Sequence, residues 1–265
     1  MSEQWQGRLA KMPVANGQPV QYHLVLNDNR VHLNPWVGRS VGLDFTGHMY
    51  CVSCGRQTNK SFFEGFCYPC FRSAPQASDC VVRPELCRAH EGKGRDMAWE
   101  TEHHLVDHVV YLAATSHLKV GITRACNTVT RWIDQGAHAA VPIARTPNRY
   151  LAGMIEVALK RKISDRTSWQ KMLMGQDVAV DFTAEAQKLV SDFEDTFRPY
   201  LITETPQTFL YPVLDYPMSV KSIQPEKTPS ISATLIGIRG QYLIFGDGRV
   251  LNIRKCAGYE VRLTV

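Results

Sequence analysis

Two Cys-x-x-Cys pairs constrain this chain more than any other feature of its sequence. Cys51 and Cys54 form the first pair, and Cys67 and Cys70 form the second after twelve intervening residues. Each pair places two thiolates on one tight turn, and Zn²⁺ prefers four such ligands in a tetrahedron. The pattern predicts a structural zinc site, because four cysteines leave no open position for chemistry. The alternative is a set of four buried or redox-active cysteines.

A second group of potential ligands follows directly. Cys80, Cys87 and His90 continue the pattern, and His103 or His104 would be the fourth ligand. These residue types bind Zn²⁺, but their spacing is irregular. The sequence is therefore compatible both with a second zinc site and with separate, uncoordinated residues.

The expected cellular compartment favours metal ligation over disulfide formation. The N-terminal segment lacks the apolar stretch of a secretory signal, and no apolar run is long enough to span a membrane. These features predict a cytoplasmic protein without a membrane partner. Eight cysteines, six of them between residues 51 and 87, are then expected to be metal ligands.

Composition excludes a mostly disordered chain. Hydrophobic residues make up 44% of the sequence and charged residues 21%, which is the balance of a soluble globular protein. The formal net charge is +5. This mild excess is compatible with a polyanionic partner and does not require one.

The pattern along the chain predicts an α+β fold with three parts. Short alternating runs separated by turn residues predict antiparallel strands at both ends. Neither end is large enough to bury a core alone, so we expect the two to pair into one small β-domain. The predicted segments are N-terminal strands (1–50), a zinc-ribbon-like insert (51–107), a central α/β core (108–200), a linker (201–228) and a C-terminal β meander (229–265).

The central segment is typical of a hairpin followed by helices. Apolar runs flank a short turn at Ser116-His117, which predicts the hairpin. Apolar residues at helical spacing then predict one helix after Asn127, one from about Arg149 and one capped by Thr183. A shorter helix is expected near residues 169–174.

A tyrosine, a lysine, an arginine and a glutamate follow one another in this segment. They occur as Val109-Val110-Tyr111, Lys119-Val120-Gly121, Arg131 and Glu156. With these motifs, residues 108–200 resemble a GIY-YIG nuclease domain. In that family two strands bearing Gly-Ile-Tyr and Tyr-Ile-Gly precede helices with a functional arginine and a metal-binding glutamate. The whole chain also resembles an uncharacterised family of bacterial proteins with cysteine knuckles and the phrases KVGITR and RWIDQGA.

The resemblance implies phosphodiester hydrolysis. Tyr111 would orient or deprotonate the attacking water, Arg131 would hold the phosphate and Glu156 would bind Mg²⁺. Lys119 replaces the tyrosine of the second motif and the family's late asparagine has no match, which leaves open a relative that binds without cleaving. Ordinary roles also remain open: a strand residue for Tyr111, a solvated side chain for Arg131, and a helical ion pair of Glu156 with Lys160.

Two classes of function therefore compete. In the first, structural Zn²⁺ and a GIY-YIG-like core serve binding of DNA or RNA, with Mg²⁺ if the protein is a nuclease. The residues expected to contact phosphate are Lys119, Arg124, Arg131 and Arg149. In the second, the zinc segment and the β-domain present a protein-interaction surface. A redox enzyme is disfavoured, because one metal ion explains two Cys-x-x-Cys pairs at this spacing better.

Overall fold

The computed structural model describes residues 3–163, 168–191, 193 and 195–265. The strands in these ranges are β1 (Gln4–Arg8), β2 (Val14–Ala15), β3 (Gln21–Leu26), β4 (Asn29–His32), β5 (Ser40–Tyr50), β6 (Gln57–Thr58), β7 (His108–Ala114), β8 (Leu118–Arg124), β9 (Ala139–Thr146), β10 (Gln207–Thr208), β11 (Lys221–Ser222), β12 (Ser230–Arg239), β13 (Tyr242–Phe245), β14 (Arg249–Asn252) and β15 (Tyr259–Thr264). The α-helices are α1 (Tyr68–Ser73), α2 (Asp79–Val82), α3 (Met97–His104), α4 (Thr128–Asp134), α5 (Arg149–Lys160), α6 (Trp169–Leu173) and α7 (Phe182–Val190).

Both ends of the chain belong to one large sheet. Its strand order is β1-β15-β5-β12-β13-β14-β11, and β6 also pairs with β5. The long strand β5 lies between β15 and β12, and both run antiparallel to it. Strand β1 continues the sheet beyond β15, with Gln4 opposite Thr264. A three-stranded sheet, β2-β3-β4, is separate. The protein is thus a mixed α+β fold with several antiparallel sheets, as the sequence predicted.

A four-stranded sheet, β10-β9-β7-β8, carries the central segment. Strands β7 and β8 form the expected hairpin, with Tyr111 opposite Gly121, and β8 is an edge strand. Helix α4 packs on the face that contains Tyr111, through Trp132. Helix α5 packs on the opposite face, through Ile155 and Leu159. The two helices therefore lie on either side of the free edge of β8.

Strand β9 was not expected from the sequence. It contains Pro142, and proline is usually excluded from inner strands because it cannot donate a ladder hydrogen bond. The pairing register between β7 and β9 shifts between Val110 and Tyr111, where Pro142 lies opposite Tyr111. This local irregularity accommodates the proline.

The helices lie near their predicted positions, with differences at their ends. Asn148 caps α5, since its side chain accepts a hydrogen bond from the Leu151 N–H. The cap of α7 is Asp181 and not Thr183, because the Asp181 carboxylate accepts from the Ala184 N–H. Helix α7 also ends earlier than the predicted helix, of which residues 192 and 194 lie outside the described residues.

The segment expected to be a linker packs against both large sheets. Its strand β10 pairs with β9, and its strand β11 runs parallel to β14. Between them the Tyr211 hydroxyl donates a 2.6 Å hydrogen bond to the carbonyl of Ala137. Residues 201–228 therefore join the central sheet to the C-terminal strands.

No helix in the described ranges combines the length and the apolar character that crossing a membrane requires.

Candidate functional site

The first cysteine group joins the end of β5 to helix α1. Cys51 follows β5, Cys54 lies in the next turn, Cys67 precedes α1 and Cys70 is within it. One ligand atom from each lies within 4.8 Å of the others, and the Sγ atoms of Cys54 and Cys67 are 3.8 Å apart. This group could hold a metal ion, and its geometry is compatible with the expected zinc-ribbon-like insert.

Backbone hydrogen bonds favour the thiolate at one of these cysteines. Burial opposes the charge on Cys51, but N–H groups of Cys67, Cys54 and Ser53 outweigh it and lower the pKa of Cys51 to about 6. Donation of the Cys70 S–H to the Cys54 sulfur, together with burial, raises the pKa of Cys70 to about 12. Because the thiolate is the form that binds metals, a cation would stabilise all four charges together.

The second group lies between α2 and α3. Cys80 belongs to α2, Cys87 follows it, and Glu100 and His104 stand one turn apart on α3. Their ligand atoms all lie within 4.8 Å of one another. Nδ1 of His104 is 3.6 Å from Sγ of Cys87 and 3.8 Å from Sγ of Cys80, and it contacts the Glu100 carboxylate. All four residues are buried, and this group could also hold a metal ion.

Two histidines that the sequence analysis considered as ligands lie outside the second group. The ring of His90 stacks on Tyr150, with 4.4 Å between the ring centroids. The ring of His103 stacks on Trp99, and its Nδ1–H donates to the Trp99 carbonyl at 2.9 Å. Of the two alternatives for the fourth ligand, the group contains His104 and not His103, and Glu100 stands where His90 was expected.

The sequence analysis did not identify Glu100 as a possible ligand. Its spacing to His104 was the one sequence signal that could have indicated it, because residues four apart share one face of a helix. Asp96 fixes the start of that helix, since its carboxylate accepts from the N–H groups of Ala98 and Trp99. The spacing alone did not show that this face meets Cys80 and Cys87.

A cavity of about 590 Å³ adjoins the second group. Strand β8 lies at its base, helices α4 and α5 form two sides, and residues of the 63–104 segment close it. His104 lines the cavity, as do Val81, Val82 and Pro84 from the segment between Cys80 and Cys87. The second group is therefore part of the cavity wall.

The cavity lining carries an excess of positive charge. Among the described residues that line it, six are basic and three are acidic, which leaves three positive charges when histidines are neutral. Each acid pairs with one lining cation: Lys11 with Asp134, Arg254 with Glu64, and Lys160 with Glu156. The remaining basic residues are Arg124, Arg131 and Arg149.

Tyr111 lies close to Arg131, which is part of the cavity wall. The Tyr111 hydroxyl is fully buried, donates to Oε1 of Gln135 at 3.0 Å and interacts electrostatically with the Arg131 guanidinium. Gly121 makes room for it, because a Cβ there would lie 2.5 Å from the hydroxyl oxygen. Burial raises the pKa of Tyr111, so the phenol is neutral and the charge resides on Arg131. Nε of Arg131 is buried without a hydrogen-bond partner in the part of the chain that the structure describes.

The other expected site residues divide between the cavity and the interior. Glu156 and Arg149, two turns apart on α5, both line the cavity, as does Arg124 at the end of β8. Lys119 is buried opposite Ala113 in the hairpin and is not part of the lining. The structure thus brings together all the residues expected around a phosphate except Lys119, with Tyr111 beneath them.

This architecture defines an α+β protein with two possible metal centres, one of which adjoins a basic cavity. The chain belongs to the family of proteins of unknown function designated DUF2797, whose model matches residues 38–261. That match spans both cysteine groups and the central sheet. Comparisons with curated proteins and with solved structures found no match.

Proposed function

We propose that this protein binds nucleic acid in the basic cavity of a GIY-YIG-like core, and that the first cysteine group holds a structural zinc. The observation that carries the proposal is the placement of Arg131. Its guanidinium lies close to the buried Tyr111 hydroxyl and lines a cavity with excess positive charge. A planar guanidinium in this position matches the paired oxygens of a phosphate.

Two further arginines extend the phosphate-binding surface. Arg124 at the end of β8 and Arg149 at the start of α5 also line the cavity. Arg149 keeps its positive charge while its guanidinium donates to the carbonyls of Cys80 and Val81. Lys160 is already paired with Glu156, and so contributes less charge to a ligand. The cavity could therefore contact a few phosphates of a single strand or of a flexible duplex end.

Phosphodiester hydrolysis is the further activity that we propose for this site. The reaction forms a bond between a water oxygen and phosphorus, breaks one P–O ester bond and leaves a proton on the departing oxygen. Arg131 would orient the phosphate and offset its charge. Tyr111 is fully buried, so its role would be to position Arg131 and not to touch the attacking water.

Glu156 is the residue that would hold a divalent metal ion. Mg²⁺ is commonly bound by one or two protein carboxylates together with substrate phosphates, and the Glu156 carboxylate lines the cavity. Binding would require exchange of its 3.3 Å ion pair with Lys160. When bound, Mg²⁺ would neutralise charge on the phosphate.

Binding is tested by fluorescence anisotropy with labelled single- and double-stranded DNA and RNA across a salt series. We expect a steep loss of affinity with salt. Arg131→Ala should weaken binding and reduce the slope of log K against log[salt] by about 0.7–0.9, the share of one phosphate contact. Arg262→Ala is the matched control, because Arg262 is exposed on β15 and outside the cavity lining.

Cleavage is tested with the same oligonucleotides and Mg²⁺ or Mn²⁺. Glu156→Gln should abolish cleavage, because it removes the proposed metal ligand. Binding should be retained or strengthened, because the substitution removes a negative charge from a site that faces phosphate. Glu185→Gln, on α7, is the control. Binding without cleavage by the wild type would leave a non-catalytic relative, and no binding at low salt would favour the protein-interaction adaptor.

A further inference from the structure

We infer that Cys80, Cys87, Glu100 and His104 bind one zinc-like divalent ion, and that occupancy of this site controls the affinity of the adjoining cavity for its ligand. The first part is independent of what the cavity binds. The second part rests on the proposed function, because nucleic acid is the ligand used to measure it.

The chemistry of the four side chains argues for a metal ion. Glu100 is only 2% exposed, and its contact in this site is His104. A buried carboxylate beside two thiols is costly unless a cation or a proton offsets the charge. Two sulfur ligands, one imidazole and one carboxylate are a set that Zn²⁺ accepts in a tetrahedron.

The packing around the group argues in the same direction. The apolar cluster at this point contains Cys80, Cys87 and Ala89, with Leu105 and Tyr150 packed against it. Two of its three buried members are themselves ligands. So small an apolar cluster stabilises the 80–104 segment weakly, and a bound ion would supply the missing stabilisation.

The link to the cavity begins with the segment between the two cysteines. Val81, Val82 and Pro84 line the cavity, and they lie between Cys80 and Cys87 in the chain. His104 contributes to the ligand set and to the cavity lining at once. An ion bound to both cysteines and to this histidine would therefore hold in place the part of the cavity wall that Val81, Val82 and Pro84 form.

Helix α5 is attached to the same segment by two contacts. The Arg149 guanidinium donates to the carbonyls of Cys80 at 2.9 Å and Val81 at 2.8 Å. Gly153 packs against the next turn so closely that a Cβ would lie 2.4 Å from the Glu85 backbone nitrogen. Because α5 also carries Glu156, a displacement of the metal-binding segment would change the cavity on two sides.

The metal site is tested by metal analysis of the full chain. We expect two metal ions per chain in the wild type and one in Cys87→Ser, whereas Cys126→Ser, at an exposed cysteine, should keep two. Glu100→Gln should lose its second ion to a chelator faster than Glu102→Gln, its exposed neighbour on α3. Retention of both ions by Cys87→Ser would overturn the site.

Coupling is tested by binding of a labelled single-stranded oligonucleotide. Loss of the second ion in Cys87→Ser should weaken binding by about tenfold, which is within the usual range for two coupled sites. Amide hydrogen exchange in α5 should also become faster, and this readout needs no nucleic acid. If Cys87→Ser does not fold, limited chelation of the wild type followed by addition of Zn²⁺ gives the same comparison reversibly.

The outcomes separate this inference from the proposed function. A wild type with two ions and no affinity for oligonucleotides overturns the proposed function and the coupling, and supports the metal site. Unchanged affinity and unchanged exchange after loss of the second ion overturn the coupling alone. Weaker binding with unchanged metal content in Arg131→Ala supports the proposed function without bearing on the second site.

Discussion

At the scale of single residues, His108 shows how the fold changes the chemistry of a side chain. It is fully buried on β7, and its Nδ1–H donates to the carbonyl of Val106 at 2.7 Å. Burial, followed by the nearby charges of Arg149 and Arg124, lowers the pKa of His108 from 6.5 to about 4. The folded protein therefore holds this imidazole neutral where an unfolded chain would protonate it.

This depressed pKa predicts a pH dependence of stability. Between pH 6.5 and pH 4 the unfolded state binds a proton that the folded state does not, so the free energy of unfolding should fall on acidification. His108→Asn keeps a donor for Val106 but cannot titrate. On acidification through this window, the free energy of unfolding of the wild type should fall relative to that of the variant by up to about 3 kcal/mol. Denaturant unfolding of both proteins measures this change. His48→Asn, at an exposed site, should follow the wild type, and an equal pH dependence in His108→Asn would refute the assignment.

At the scale of elements, the segment around α1 depends on its cysteines. The apolar cluster there has only three buried members, Phe66, Ala74 and Ala77. Burying a few such side chains contributes roughly 1.5–3 kcal/mol each at most, whereas zinc contributes about 10–16 kcal/mol in small zinc-dependent peptides. A zinc ion bound by these cysteines would then be the main reason for order in this segment.

Cys70→Ser should therefore unfold one segment and leave the sheets intact. We expect the loss of about one zinc per chain and faster amide exchange in residues 51–75, with little change where β5 pairs with β15. Cys126→Ser is the control for the loss of a thiol. Metal analysis and hydrogen exchange together decide the matter: full zinc content in the variant, or no zinc in folded wild type, would show that the group is not a metal site.

At the scale of the whole molecule, Arg239 joins parts of the chain that are distant in sequence. It is fully buried at the end of β12 and donates to the Gly136 carbonyl and to both carboxylate oxygens of Asp177, at 2.6–3.0 Å. It also donates to the Tyr216 hydroxyl at 3.2 Å. Burial opposes the charged form of Asp177, but His138 and Arg239 outweigh it and lower the pKa of Asp177. These contacts connect the large sheet to the loops that follow α4 and α6.

Removing this charge should destabilise the entire fold. Arg239→Met fills most of the space but leaves Asp177 without its main partner, so the free energy of unfolding should fall by about 3–5 kcal/mol. Arg249→Met, which breaks an ion pair with Asp247 at a surface turn, should cost about 0–1 kcal/mol. Equal effects of the two substitutions in denaturant unfolding would show that Arg239 does not hold these loops to the large sheet.

Local patterns predicted those parts of the structure that depend on neighbours in sequence. The β7–β8 hairpin followed from two apolar runs around a turn, and α5 from its apolar spacing. Strand β9 was missed because Pro142 argues against an inner strand, and only the irregular pairing with β7 shows how the proline is tolerated. The cap of α7 was placed two residues late, since Asp181 and Thr183 are both residues that cap helices.

The sequence by itself determined the first cysteine group, since two Cys-x-x-Cys turns bring their thiols together through local geometry. It also marked Arg131 and Glu156 through motif resemblance. Only the tertiary structure decided that α3 meets α2, which places Glu100 and His104 beside Cys80 and Cys87. It likewise decided that a cavity opens along the edge of β8 and that Lys119 lies outside it. The physical reason is that such contacts depend on how separate elements pack, and residue spacing along the chain carries no record of that packing.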